Sequence, residues 1–183
     1  MHRNRFFADI QSNMGSVLSY FLGFFVNQGR IDDANPVTGL TSRDVYLITN
    51  TWNKVISKPT ENGINFFMRL FEIEPKHKLA FPFKDLPTES LPSNKRFHAH
   101  VNGVMYSISS IVSSLNDADT LVAIIDKIGR NHVRRSVDLQ ALKDVKRALL
   151  DIFAFMTTEE LAAWSKMLDY FAKTAIKAMD DEN

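Results

Sequence analysis

Apolar residues recur at intervals of three and four from Leu40 almost to the end of the chain, and this spacing constrains the fold more than any other feature. A repeat of that length places side chains on one face of an α-helix. No run of strand length that alternates apolar and polar residues stands out. We therefore predict an all-α fold with six helices. Their apolar stripes begin at Val45, Gly63, Phe97, Leu121, Leu142 and Leu161.

Local signals predict where several of these helices begin and end. Thr41 with Asp44, and Thr157 with Glu160, have the spacing of a capping box, in which side chains at a helix start satisfy free backbone amides. Pro59 ends the first helix, because proline cannot continue one. Three further prolines predict a loop before the third helix. They are Pro82, Pro87 and Pro92.

Composition limits the function classes. The 183 residues suit one domain with some chain to spare, and 45% hydrophobic residues can form a sizeable core. A net charge of +1, without basic blocks interleaved with aromatics, argues against nucleic-acid binding. The absence of cysteine excludes disulfides, thiolate nucleophiles and thiolate-bound metals. It also fits a reducing compartment.

Two histidines lie on the apolar stripes of different helices. At roughly 100° per residue, His100 lies about 40° from Val104 on its helix, while His98 falls on the solvated side. His132 continues the stripe of Leu121, Ile125 and Ile128. A single inward histidine is usually a hydrogen-bonded core residue. Two such residues, with no other polar group on either stripe, favour a shared ligand over that interpretation.

The first 39 residues form a segment of different character, which we separate from a domain at 40–183. Its apolar run from Val17 to Val26 is too short to span a bilayer, and no clear signal-peptidase site follows it. If translation began at Met14, Gly15 would match the myristoylation pattern, and the run would lie on a membrane surface. A loosely packed extension is the alternative. The turn-rich stretch 32–39 predicts a linker.

Several landmarks in this order resemble the globin family, over about Leu40 to Met179. Trp52 and Trp164 resemble the tryptophans of the first and last helices, and Pro75 the proline of a short third helix. FPFKDLP and the FHAH and NHVRRSV segments are most similar to insect intracellular globins, with neuroglobin-like and membrane-associated globins related. The resemblance implies a globin fold with an N-terminal extension, a helical sandwich around a haem b pocket.

The same resemblance implies roles for seven residues. His132 corresponds to the proximal iron ligand and His100 to the distal histidine, which can either ligate the iron or donate a hydrogen bond to bound oxygen. The remaining positions correspond to the apolar walls of the pocket. They are Phe67, Phe81, Val104, Ile128 and Val137.

The function implied is reversible binding of oxygen and other diatomic gases, for storage, transport or sensing in the cytoplasm. The alternative is redox activity at the haem, as nitric oxide dioxygenase or nitrite reductase, either at a membrane or away from one. We expect no enzyme, because such turnover needs a reductase partner and the chain has no flavin or nicotinamide motif. A membrane surface, reached through the extension, and a second copy of the chain remain open as further partners.

Overall fold

The computed structural model describes residues 32–135, 137–153 and 155–182. Within these ranges the chain forms six α-helices and no strand, which confirms the all-α prediction. The α-helices are α1 (Ser42–Ile56), α2 (Pro59–Ile73), α3 (Lys95–Ser113), α4 (Ala118–His132), α5 (Leu139–Ile152) and α6 (Thr158–Asp180). Helices α1, α4 and α5 each pack on α6, while α2 packs on α3 and α5.

Both predicted capping boxes form. At the start of α1, the Asp44 amide donates to the Thr41 hydroxyl at 3.0 Å, and the Thr41 amide donates to the Asp44 carboxylate at 3.0 Å. Thr157 and Glu160 repeat the arrangement at the start of α6. Such a cap stabilises a helix by about 1 kcal/mol. Pro59 occupies the first turn of α2, where its missing amide costs no hydrogen bond.

The segment before α1 is a hydrogen-bonded turn that packs onto the domain. The Asn35 side chain accepts hydrogen bonds from the amides of Val37 and Thr38, at 2.9 and 3.1 Å. Gly39 has a φ of 71°, a left-handed conformation that glycine adopts without steric cost. Leu40 then enters the core, 2% exposed. The predicted linker is therefore a structured entry to α1.

Two tryptophans join three helices in the core. The Trp164 indole on α6 donates to the Thr51 hydroxyl on α1 at 2.7 Å. The Trp52 indole on α1 donates to the Ser109 hydroxyl on α3 at 2.9 Å. Because each buried N–H has an acceptor, both rings contribute their apolar area without an unpaired polar group.

Two helix crossings are close enough to require glycine. A Cβ added at Gly63 of α2 would lie 2.4 Å from Cγ1 of Val101 on α3. A Cβ added at Gly129 of α4 would lie 2.7 Å from the carbonyl oxygen of Ala175 on α6. Val101 is the neighbour of His100, and Gly129 lies one turn before His132. The crossings therefore fix the positions of the two helices that carry the histidines.

The predicted loop between α2 and α3 contains two 3-10 helices, Pro75–Ala80 and Thr88–Ser93. Glu74 begins the first by accepting a hydrogen bond from the Lys76 amide at 3.0 Å. Short helices of this kind suit proline-rich segments, since each needs few backbone hydrogen bonds. The first of them ends at Phe81, and the rings of Phe81 and Phe83 both pack into the core.

None of the helices in the described ranges is sufficiently long and apolar to cross a membrane. The acylation pattern at Met14 and Gly15, and the apolar run that follows it, lie outside the described residues. The division at residue 39, the membrane contact through the extension and the cytoplasmic location remain predictions.

Candidate functional site

His132 is the last residue of α4, and its ring has a fixed protonation pattern. Its Nδ1 lies 2.7 Å from the carbonyl oxygen of Ile128, one turn earlier. A carbonyl only accepts hydrogen bonds, so Nδ1 carries the proton when the ring is neutral, and Nε2 carries the lone pair. Among the described residues, no hydrogen bond or ion pair uses Nε2 of this half-buried ring. His132 therefore presents an oriented metal-ligating nitrogen.

His100, on α3, lies among three phenylalanine rings. Its ring centroid is 5.1 Å from that of Phe81, 5.3 Å from that of Phe67 and 5.9 Å from that of Phe83, each edge-to-face. Within the part of the chain that the structure describes, neither ring nitrogen of His100 forms a hydrogen bond. Its side chain is thus positioned by aromatic packing, and both nitrogens are available to a ligand.

The charge state of His100 follows from its surroundings. Burial lowers the pKa of the imidazole, and the nearby positive charges of Arg135 and His132 lower it further. His100 is therefore neutral at pH 7, with one nitrogen that donates and one that accepts.

Of the remaining predicted residues, Phe67 and Phe81 contact the His100 ring, and the other three pack against the core. Phe67 on α2 is buried at 3% exposure, with its ring edge-to-face against Phe81 at 5.6 Å. Val104 and Ile128 are half-buried and pack against the core, each one turn from a histidine. Val137 follows α4 and lines a cavity of about 510 Å³. The structure thus brings Phe67, Phe81 and His100 into direct ring contact.

Two residues near the site were not among those predicted. Phe83 contacts His100 and stacks on Phe81 at 5.2 Å with the planes 13° apart. Its two-residue spacing from Phe81 was a signal, but a loop has no periodicity from which to infer direction. Arg135 lies close enough to lower the pKa of His100. Its place depends on the one-turn 3-10 helix Val133–Arg135 after α4.

The donor set narrows the chemistry. Neutral imidazole suits iron, copper and zinc. Among the described residues no group of three or more histidine, aspartate or glutamate side chains could hold a metal ion alone. Two imidazoles and a wall of phenylalanines instead fit a planar macrocycle that brings four nitrogen ligands of its own.

The Globin family model matches residues 64–175, more than half of the chain. This chain belongs to the globin family. The matched segment includes both histidines and the three phenylalanines, and the family implies haem binding. The chemistry of the donor set is consistent with this, because it offers one oriented imidazole, a second neutral imidazole and an aromatic wall.

Similar proteins come from fish and flies. Cytoglobin-1 of Oryzias latipes is 28% identical over 163 residues, covering 85% of this chain and 92% of the relative. Neuroglobin-2 of Oncorhynchus mykiss is 33% identical over 113 residues, covering 61% of this chain and 71% of the relative. The solved structure of a Drosophila melanogaster globin has a TM-score of 0.71 at 28% identity, covering 75% of this chain and 94% of that one. These similarities confirm the globin fold and the likeness to insect and neuroglobin-like proteins.

Proposed function

We propose that the chain binds haem b through Nε2 of His132 and reversibly binds oxygen at the opposite face, for storage, transport or sensing. The observation that carries the proposal is the hydrogen bond from His132 Nδ1 to the Ile128 carbonyl. It orients the ring and leaves the lone pair on Nε2, which is the arrangement that a metal-binding histidine needs. When bound, the haem iron supplies the site for a diatomic gas.

His100 has two possible roles on the other face. As a neutral imidazole it can give its lone pair to the iron, or it can donate a hydrogen bond to a gas ligand. A hydrogen bond to a partly charged oxygen contributes about 1.5–3 kcal/mol. Burial, which keeps the pKa of His100 low, supports both roles because each needs the uncharged ring.

We further propose that His100 is a ligand in part of the gas-free ferrous population. Its nitrogens have no described protein partner to compete with the metal, and three phenylalanines surround the ring. A related solved structure, 27% identical with a TM-score of 0.73, is described as a hexa-coordinate haemoglobin of Drosophila melanogaster. An internal ligand lowers the apparent gas affinity by the fraction of sites that remain open.

The phenylalanines have a separate effect. Phe67 and Phe83 are 3% and 5% exposed, and Phe81 contacts both of these rings as well as His100. Such a wall excludes water, which slows the proton-assisted oxidation that would end reversible oxygen binding. The proposed function thus depends on both the histidines and this apolar wall.

The visible absorption spectrum of the purified, haem-saturated protein tests the proposal. In the reduced, gas-free state, we expect the two sharp bands of a six-coordinate species, and His100→Leu should convert them to one broad band. His98→Ala is the matched control, because the His98 ring is held by the Pro92 carbonyl at 2.7 Å instead. A broad band in the unaltered protein would contradict ligation by His100. A failure to bind haem would contradict the whole proposal.

A further inference from the structure

Residues 78–86 form a loop that carries Phe81 and Phe83, and hydrogen bonds within the loop maintain its shape. The Phe81 amide donates to the Lys78 carbonyl at 3.1 Å. The Leu86 amide donates to the Phe83 carbonyl at 3.1 Å, and the Lys78 ammonium donates to the Leu86 carbonyl. Because these bonds join residues of the same segment, they do not fix the position of the loop against the helices.

The loop is attached to α5 by a polar contact at its start. His77, the residue before the loop, has its Nε2 2.9 Å from Oδ2 of Asp144. A carboxylate accepts hydrogen bonds, so Nε2 of His77 donates. Gln140, one turn earlier on α5, donates to the other carboxylate oxygen of Asp144 at 3.0 Å. Both oxygens of Asp144 therefore have a donor, and its side chain is held in the orientation that receives His77.

This contact is less exposed than the ion pairs on the surface of the domain. The side chains of His77 and Asp144 are 19% and 14% exposed, and in none of the other ion pairs that the described residues form are both partners below 20%. The pair of Arg69 and Asp151, which joins α2 to α5, is 36% and 38% exposed. Water and salt weaken an exposed pair more than a buried one. The contact between His77 and Asp144 is therefore the better suited of the two to fix one element against another.

We propose that the contact between His77 and Asp144 positions His100, through the phenylalanine rings of the loop. The 3-10 helix that contains His77 ends at Phe81, and the ring centroids of Phe81 and His100 are 5.1 Å apart. Phe83, in the same loop, has its ring centroid 5.9 Å from that of His100. The inference rests on the proposed function, because the position of His100 affects gas binding only beside bound haem. His77 and Asp144 are thus positioning residues, which act on His100 without touching the gas.

Hydrogen exchange of backbone amides, followed residue by residue in the haem-saturated protein, tests the attachment of the loop. Asp144→Ala should make the amides of Phe81 and Leu86 exchange about two- to tenfold faster, the range expected when one hydrogen bond is lost. His77→Leu removes the same contact from the other side and should have the same effect. A variant with both substitutions should exchange no faster than either single variant, because only one contact is lost.

Asp151→Ala is the matched control for Asp144→Ala. It removes a carboxylate from the same helix that also accepts a hydrogen bond from another element, here from Arg69 at 2.7 Å. The two loop amides should exchange at the unaltered rate in this variant. Equal acceleration in Asp151→Ala and Asp144→Ala, or none in Asp144→Ala, would show that the contact with His77 does not hold the loop and would overturn the inference.

The rate of oxygen release tests the step from the loop to His100. Asp144→Ala should release oxygen about threefold faster than the unaltered protein, because a less firmly held imidazole donates a weaker hydrogen bond. His100→Leu combined with Asp144→Ala should release oxygen at the rate of His100→Leu alone, since positioning has no effect once the ring is gone. Acceleration that persists without His100, or none in its presence, would overturn the inference while haem binding stays intact. If the unaltered protein bound no haem, the proposed function would fail instead.

Discussion

Gly129→Ala should disturb the α4–α6 crossing and, through it, the position of His132. The added Cβ would lie 2.7 Å from the carbonyl oxygen of Ala175 and 3.0 Å from Cβ of Ala178. The first obstacle is backbone, and the second is a side chain with no rotamer to change. Helix α4 must therefore move away from α6, and His132 lies only one turn further along α4.

Two effects of opposite sign set the magnitude. Replacing glycine by alanine inside a helix is favourable by about 0.8–1.0 kcal/mol. Forcing an extra methyl group into a well-packed crossing costs about 1–3 kcal/mol. Gly103→Ala isolates the first effect, because Gly103 is also within a helix, lies three residues from His100 and has open space around it. Gly129→Ala should therefore be about 1–3 kcal/mol less stable than Gly103→Ala.

Urea unfolding of the haem-saturated proteins, followed by helical circular dichroism, measures this difference. Gly103→Ala should have a higher midpoint than the unaltered protein, and Gly129→Ala a lower midpoint than Gly103→Ala. Haem release should be faster in Gly129→Ala alone. If Gly129→Ala were as stabilising as Gly103→Ala, the close α4–α6 contact would not determine the position of His132.

Three further predictions concern other parts of the molecule. Phe83→Leu should change the six-coordinate fraction of the ferrous spectrum, because it removes one ring that positions His100; an unchanged fraction would assign Phe83 to core packing alone. Asp44→Asn should make stability less sensitive to acid. Burial raises the pKa of Asp44, but hydrogen bonds from Thr41 and Lys166 outweigh this effect and lower the pKa overall. The stability that Asp44 contributes is therefore present above about pH 4 and lost below it. If the free energy of unfolding fell equally in both proteins as the pH was lowered, the prediction would be wrong. A chain starting at Asn35 should keep the oxygen affinity of the full chain, and a large shift would show that the extension contributes to gas binding. Mass spectrometry of the intact protein tests acylation separately, and an unmodified terminus at residue 1 would refute acylation at Gly15.

Much of the fold could be predicted from the sequence, because the relevant signals are local. The six stripes follow from helical periodicity, and the boxes at Thr41 and Thr157 from a spacing of three residues. Gly63 was placed correctly on the stripe of its helix, and the structure shows the Val101 contact that makes glycine necessary there. The role of Gly129 could not be predicted, because it depends on how closely α4 approaches α6.

The site was predictable to the extent that its residues lie on helices. Helical phase indicated that His100 and His132 point inward, but the contacts of His100 with Phe67 and Phe81 depend on tertiary structure. Phe83 was missed because it follows a turn in the chain at Pro82, where no period gives a direction.

Replacement of His132 by glycine, with and without added imidazole, tests the central claim most directly. We expect His132→Gly to lose stable haem binding, because it removes the Nε2 atom that the hydrogen bond to Ile128 orients. Free imidazole should enter the space left by the side chain and restore haem binding and the visible spectrum of the unaltered protein. His132→Gly protein that retained haem with an unchanged spectrum, and no response to imidazole, would contradict the assignment of His132 as the iron ligand.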